Sequence, residues 1–238
     1  MRLTGVGMGP GDPELVTVKA VRVLQEADLV FVPVMDAVEQ GRAEATVRAH
    51  LTHDRVQRLV FALDDRGGAT AERTQAWDDA ADVVADALRT KGSVAFATIG
   101  DPNVYSTFTY LADAVRERLP SVVVETVPGI TAMQDLAARS GTVLCEGTES
   151  LALLPLTAGI EAFDEALTHF DSVVAYKGGR HLQQVRAVLE KHGRLDTAVF
   201  GAALGLPGEQ VGPLPTEAAP YLSTVIAPAR RTSRGGKL

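Results

Sequence analysis

The chain has 238 residues, a formal net charge of −7, 46% hydrophobic and 22% charged residues, and one cysteine. The length is ample for one large or two modest domains, and the charge argues against a sequence-independent grip on nucleic acid, which needs a clustered positive face. A lone Cys145 excludes an internal disulfide framework and a thiolate metal cluster, and it reads as a packed thiol. No apolar run is long enough to span a bilayer and no charged start precedes an apolar signal stretch, so a soluble cytoplasmic protein without membrane partners is expected.

Short apolar runs alternate with helical stretches, the pattern of α/β units around a largely parallel sheet. In the first half, "LTGVG", "DLVFVPV", "RLVFAL" and "SVAFATIG" read as strands. Between and after them, helices are expected over Leu15 to Ala27, whose apolar stripe is Leu15, Val18, Val21, Val23 and Leu24, over Ala71 to Leu88, and over Val104 to Leu119. "DDRGGATAER" reads as a polar loop. Pro120 then breaks the pattern, and the second half carries strand candidates "VVVETVPG", "SLALLP", "SVVAYKG", "DTAVFGAAL" and "YLSTVIAP". Its helices are expected over Ile130 to Arg139, Ile160 to His169 and Leu182 to His192. Two α/β lobes, 1–119 and 120–238, fit this order, and the basic tail from Arg230 to Lys237 reads as a frayed terminus.

Three strand ends carry loops of one kind: "GMGPGDP" after the first strand, "TIGDPNVYS" after the fourth and "VPGITAM" after the first strand of the second half. The first is a poor phosphate cradle, because neither glycine frame completes G-x-G-x-x-G and Asp12 and Glu14 put anions beside it. Any one of these loops alone is an ordinary turn. In open α/β folds, however, the ligand crevice lies beyond the carboxyl ends of the strands, so three such loops suggest one site built of backbone for an uncharged or zwitterionic small molecule. His50-x-x-His53 is only half of a metal site and reads as solvated helix-end residues. No nucleophile elbow, Walker loop or metalloprotease helix is present, which leaves the chemistry to the ligands.

"GMGPGDPELVT", "GDPNVYS" and "VPGITAM", in that order, resemble the three motifs of the tetrapyrrole methylases, and the resemblance spans essentially the whole chain. "CEGTESLALLP", "YKGGRHLQQVRAVLEKHG" and "GLPGEQV" are similar to the branch that methylates C20 of precorrin-2 in cobalamin biosynthesis. That branch most often has a Met-Lys pair where this chain has Tyr176 and Lys177.

The resemblance implies a homodimer of two-lobed α/β subunits, each lobe a mostly parallel or mixed sheet flanked by helices. It implies S-adenosylmethionine as methyl donor and a small-molecule tetrapyrrole as substrate. Carried over residue by residue, Gly100 and Asp101 hold the amino-acid end of the donor, and Thr131, Ala132, Lys177, Ala203, Leu204, Thr224 and Val225 surround its adenosine. Pro10 and Tyr105 line the cleft, with Gly9, Pro10, Gly11 and Asp12 as the floor under the macrocycle. A base must take the proton displaced from C20; Tyr105, Asp101 and Glu146 are the candidates, and Asp101 is disfavoured because its expected partner is the donor. Arg139, Lys177 and Arg180 are expected to meet the substrate's carboxylates, whereas Arg48 and Arg186 read as solvated helix-face charges. Another tetrapyrrole methylase, a sister branch acting on diphthine or ribosomal RNA, and a non-catalytic ligand-binding module are the alternatives that the sequence leaves open.

Overall fold

The computed structural model describes residues 1–38, 40–61, 71–217, 219–220, 222–231 and 237, so the polar loop expected from Asp64 lies largely outside the described residues. The chain divides into two compact units, Met1–Thr131 and Ala132–Leu238.

The first unit runs β1 (Arg2–Gly7), α1 (Val18–Glu26), β2 (Leu29–Val34), α2 (Arg42–His50), β3 (Val56–Val60), α3 (Ala71–Lys91), β4 (Ser93–Thr98), α4 (Phe108–Arg118) and β5 (Val123–Val127). The sheet order is β3-β2-β4-β1-β5 with every pair parallel. Strand β2 is apolar throughout and β4 over Val94–Ala97 because both faces of the sheet are covered. Phe31 and Phe96 pack with Ala81, Leu88, Phe108 and Leu111 of α3 and α4, while their strand neighbours Val30, Val32, Ala95 and Ala97 pack with Ala20, Leu24 and Val47 of α1 and α2. Period-two alternation along each strand makes that division.

Two expectations change here. The strand "VVVETV" was expected to open the second lobe at residue 120; instead β5 pairs with β1 as the fifth strand of the first sheet, and the division falls after Thr131. Pro120 therefore marks an ordinary helix-to-strand crossover within one sheet. Helix α2 was implied only by the readings of Arg48 and His50 as helix residues, with no span assigned to it. Its buried positions are Ala43, Glu44, Thr46 and Val47, a stripe half polar, so no apolar period betrays it.

The second unit runs α5 (Ala132–Ser140), β6 (Leu151–Pro155), α6 (Ile160–His169), β7 (Ser172–Tyr176), α7 (Leu182–Lys191), β8 (Val199–Ala202), β9 (Gln210–Gly212) and β10 (Ser223–Ala227). Its order is β6-β7-β10-β8-β9, with β6 and β7 parallel and β10 antiparallel to both β7 and β8. Helices α6 and α7 cover one face through Phe163, Val185 and Leu189, and α5 covers the other through Leu136 and Ala137 against Val174, Leu204 and Ile226. Among the described residues no helix is long and apolar enough to cross a membrane.

Candidate functional site

In the first unit, the crossovers after β1 and β2 run toward one edge of the sheet and those after β3 and β4 run back, so the chain leaves adjacent β1 and β4 toward opposite faces. That is the topological switch point at which open α/β sheets bind ligands, and the two glycine loops stand on it. They join there: Met8 N–H donates to the Thr98 carbonyl at 2.9 Å and Gly100 N–H to the Gly9 carbonyl at 2.7 Å. The third loop meets them through glycine. A Cβ at Gly129 would lie 2.1 Å from the Gly100 carbonyl oxygen, and one at Gly7 would lie 2.5 Å from the Gly129 nitrogen. Three loops thus touch backbone to backbone, which no side chain would permit.

Asp101, only 9% exposed, closes the junction: Oδ1 accepts Asn103 N–H at 2.8 Å and Oδ2 accepts Gly129 N–H at 3.0 Å. Each carboxylate oxygen has a second lone pair for a ligand. Gly100 beside it has φ 68°, and the space its Cβ would fill is open, so a ligand can reach main chain there. Gly9, Pro10 and Gly11 are buried, and Asp12 caps a short turn by accepting Glu14 N–H at 2.9 Å.

Helix α2 holds this first loop from behind. Thr46 donates to the Gly11 carbonyl at 3.4 Å, and the His50 ring lies 2.8 Å from the Pro13 carbonyl, so His50 is a loop tether and not the solvated helix-end residue expected. Buried Glu44 binds Arg48 at 2.9 Å and Arg58 at 2.7 Å. Burial alone would raise its carboxyl, but the hydrogen bonds from Arg58 and Arg48 hold it below the ordinary value. Arg48 itself is exposed on the helix face, as expected, and reaches in to the buried carboxylate from there.

At the second unit's carboxyl edge, Lys177 follows β7 and Ala203 follows β8, with the start of β10 between them. Lys177 N–H donates to the Ser223 carbonyl at 3.0 Å, and Thr224 stands opposite Tyr176 and Gly201. Lys177 has φ 61° and Ala203 φ 51°; with Tyr105 at φ 50° in the first unit, they are the non-glycine residues at positive φ among those described. Each such residue costs about 1–2 kcal/mol, and such strain collects at ligand clamps. All three belong to the set expected from the motifs.

The other expected residues fare differently. Thr131 is buried, Ala132 opens α5, and the Tyr176 hydroxyl accepts Met133 N–H at 3.0 Å at the same helix end. Leu204 and Val225 have their side chains in the core, so they can offer a ligand little but main chain. Tyr105 is 46% exposed, yet partial burial raises its phenol above the ordinary value. Arg180 is exposed on the turn after Lys177. Arg139 was expected to face substrate carboxylates; it instead binds Asp135 at 2.8 Å and Glu209 at 3.1 Å. Arg186 reaches the Leu214 carbonyl at 2.7 Å instead of pointing into solvent.

Glu146 does not join this edge. It pairs with Arg231 at 3.0 Å in the loop before β6, beside the amino ends of β6 and β7, where Ser150 binds Asp171 at 2.9 Å. The five residues of β7, about 13 Å of strand, separate that end from Lys177. Glu146 is thus an ion-pair residue of the far edge, and Asp171 beside it is held at about pH 2 by hydrogen bonds from Lys237 and Ser150. The same contacts correct the tail: Arg231 grips Glu149 at 2.5 Å and Lys237 reaches Asp171, so its described residues are pinned and not frayed. Cys145 is exposed, not packed. No cluster of three or more metal-ligating side chains occurs among the described residues.

Nothing in the sequence marks Thr46 or Glu209 as part of the site's support. Asp135 and Arg139 do carry a signal, because their i,i+4 spacing on α5 is that of a helical ion pair.

A family model described as tetrapyrrole (corrin/porphyrin) methylases matches residues 2–219. The chain is 35% identical over 236 residues to a precorrin-2 C(20)-methyltransferase of Sinorhizobium sp, covering 95% of each chain. It is 30% identical over 210 residues to the cobalt-precorrin-2 C(20)-methyltransferase of Salmonella typhimurium, covering 88% of this chain and 86% of that one. The fold is similar to that of uroporphyrin-III C-methyl transferase from Thermus thermophilus, solved with S-adenosyl homocysteine, at a TM-score of 0.64 and 23% identity, covering 95% of this chain and 97% of that one.

Proposed function

The chain belongs to the tetrapyrrole (corrin/porphyrin) methylases, and from that premise we propose that it transfers a methyl group from S-adenosylmethionine to C20 of precorrin-2, or of its cobalt complex, giving precorrin-3A in cobalamin biosynthesis. The near full-length similarity to a precorrin-2 C(20)-methyltransferase carries the reading. The donor's chemistry fits the residues present: its amino-acid end is a zwitterion, and Asp101 with the open main chain at Gly100 offers an anion beside backbone polar groups. The strained main chain at Lys177 and Ala203, with Thr131, Ala132, Leu204, Thr224 and Val225, takes the adenosine in this reading.

S-adenosylmethionine supplies an electrophilic methyl group, carried on a sulfonium that departs as a neutral thioether. The protein's work is therefore positioning and exclusion of water. Gly9, Pro10, Gly11 and Asp12 form a rigid floor for the macrocycle, Tyr105 donates a hydrogen bond from its neutral phenol, and exposed Arg180 pairs with a substrate carboxylate. A carbon–carbon bond forms between C20 and the methyl as the methyl–sulfur bond breaks, S-adenosylhomocysteine leaves as a neutral thioether, and the proton displaced from C20 passes to a base. The same reading carries a homodimer in the cytoplasm.

The test is anaerobic incubation with S-adenosylmethionine and enzymatically generated precorrin-2, with and without cobalt, followed by mass spectrometry and carbon NMR. One added methyl at C20 is the expected result. A methyl at another carbon, or turnover of uroporphyrinogen III in its place, assigns the chain to another methylase of this family. Donor binding without turnover on any tetrapyrrole makes it a binding module.

A further inference from the structure

We propose that Arg139 and Glu209 are positioning residues for the methyl donor, locking the strained Ala203 turn onto helix α5, and that neither binds the tetrapyrrole. The inference rests on the donor-binding part of the function proposed above.

A non-glycine residue at φ 51° persists only when its surroundings over-determine it. After Ala203 the chain turns back on itself: its carbonyl accepts Leu206 N–H at 3.0 Å, and the Leu206 carbonyl accepts Glu209 N–H at 3.1 Å. The Glu209 carboxylate then reaches back to Gly205 N–H at 2.7 Å, closing the turn with a side chain. Arg139 ties that carboxylate to α5 at 3.1 Å, and Asp135, with only 4% of its side chain exposed, fixes Arg139 from the same helix at 2.8 Å. Leu204 is buried against Leu136 and Ala137 of α5 within the turn. The other end of α5 holds the other strained residue, because Met133 N–H donates to the hydroxyl of Tyr176, the neighbour of Lys177. One helix thus braces both left-handed residues of the edge.

Charge pairing argues against the alternative role. Asp135 and Glu209 already neutralise the Arg139 guanidinium inside the protein, which leaves it little attraction for an anionic macrocycle. Arg180 is exposed on the turn after Lys177, on the same edge.

The test compares wild type with Glu209→Gln, Arg139→Ala and the double variant, using S-adenosylhomocysteine binding by calorimetry and steady-state kinetics with both substrates. Glu209→Gln keeps the volume, and it serves as the decisive variant if Arg139→Ala does not fold. Each single change is expected to weaken S-adenosylhomocysteine binding on the order of tenfold, with the double no worse than the more severe single, as for two residues of one chain of contacts. KM for the donor rises, while KM for the tetrapyrrole and kcat at saturating donor stay within about twofold. Unchanged S-adenosylhomocysteine affinity, additive losses, or a rise in the tetrapyrrole KM alone overturns the inference. Wild-type protein that binds S-adenosylhomocysteine but methylates a carbon other than C20 overturns only the function proposed above. Wild-type protein that binds no S-adenosylhomocysteine overturns both.

Discussion

The two units shape their carboxyl edges by different means. In the first, loops approach because side chains are missing: Gly7, Gly100 and Gly129 stack main chain on main chain, and Asp101 closes the junction with two backbone hydrogen bonds. In the second, ordinary residues are forced into left-handed conformations and held there by side chains, Tyr176 at one end of α5 and the Asp135, Arg139 and Glu209 chain at the other. The first edge is rigid by steric necessity, the second by tethering. A steric device fails abruptly when one atom is added, whereas a tethered one keeps its strain as free energy that a better residue can release.

The contrast can be broken at three points. The largest effect is expected from Gly129→Ala, whose Cβ would meet the Gly100 carbonyl oxygen at 2.1 Å; with backbone on both sides nothing can rotate away. A loss of roughly 3 kcal/mol in urea unfolding is expected, and a loss near zero would show that the glycine junction is not tight. Asp101→Ala comes next. It leaves the Asn103 and Gly129 amides without their acceptor and removes the anion proposed for the donor's amino group, so donor affinity measured by calorimetry is expected to fall by roughly 1.5 to 3 kcal/mol. Unchanged affinity in a folded variant removes Asp101 from the site. The smallest effect has the opposite sign: Ala203→Gly relieves the φ 51° strain and is expected to raise stability by about 1 kcal/mol, with weaker donor binding as the turn loosens. Thermal unfolding and titration with S-adenosylhomocysteine read the two together, and a destabilised variant would mean that the Ala203 strain is already released in the native state.

The legible parts were those encoded over a few residues. Most of the strands and helices announce themselves by apolar period, and the first edge by glycine and proline in loops that each follow a strand. Helix α2 was given no span because its buried stripe contains Glu44 and Thr46, whose partners Arg58 and the Gly11 carbonyl lie far along the chain. Strand β9 was missed because three residues carry no period. The division at residue 120 was misplaced because a proline that ends a helix looks the same whether the next strand starts a new sheet or completes an old one. Arg139 was assigned to the substrate because a lone arginine advertises only its charge; its second carboxylate, Glu209, is 70 residues away. Glu146 was placed in the site by nearness in sequence to a motif, and the strand direction of β6 and β7 carries it to the opposite end.

The sequence by itself determined the α/β class, the three glycine loops and the family, since each depends on local pattern and on residues whose backbone freedom is their own property. The tertiary structure alone decided which strand joins which sheet, which charges are neutralised inside the protein and which residues bear strain. Those depend on partners brought together across tens of residues, and a side chain's chemistry does not say what it will meet.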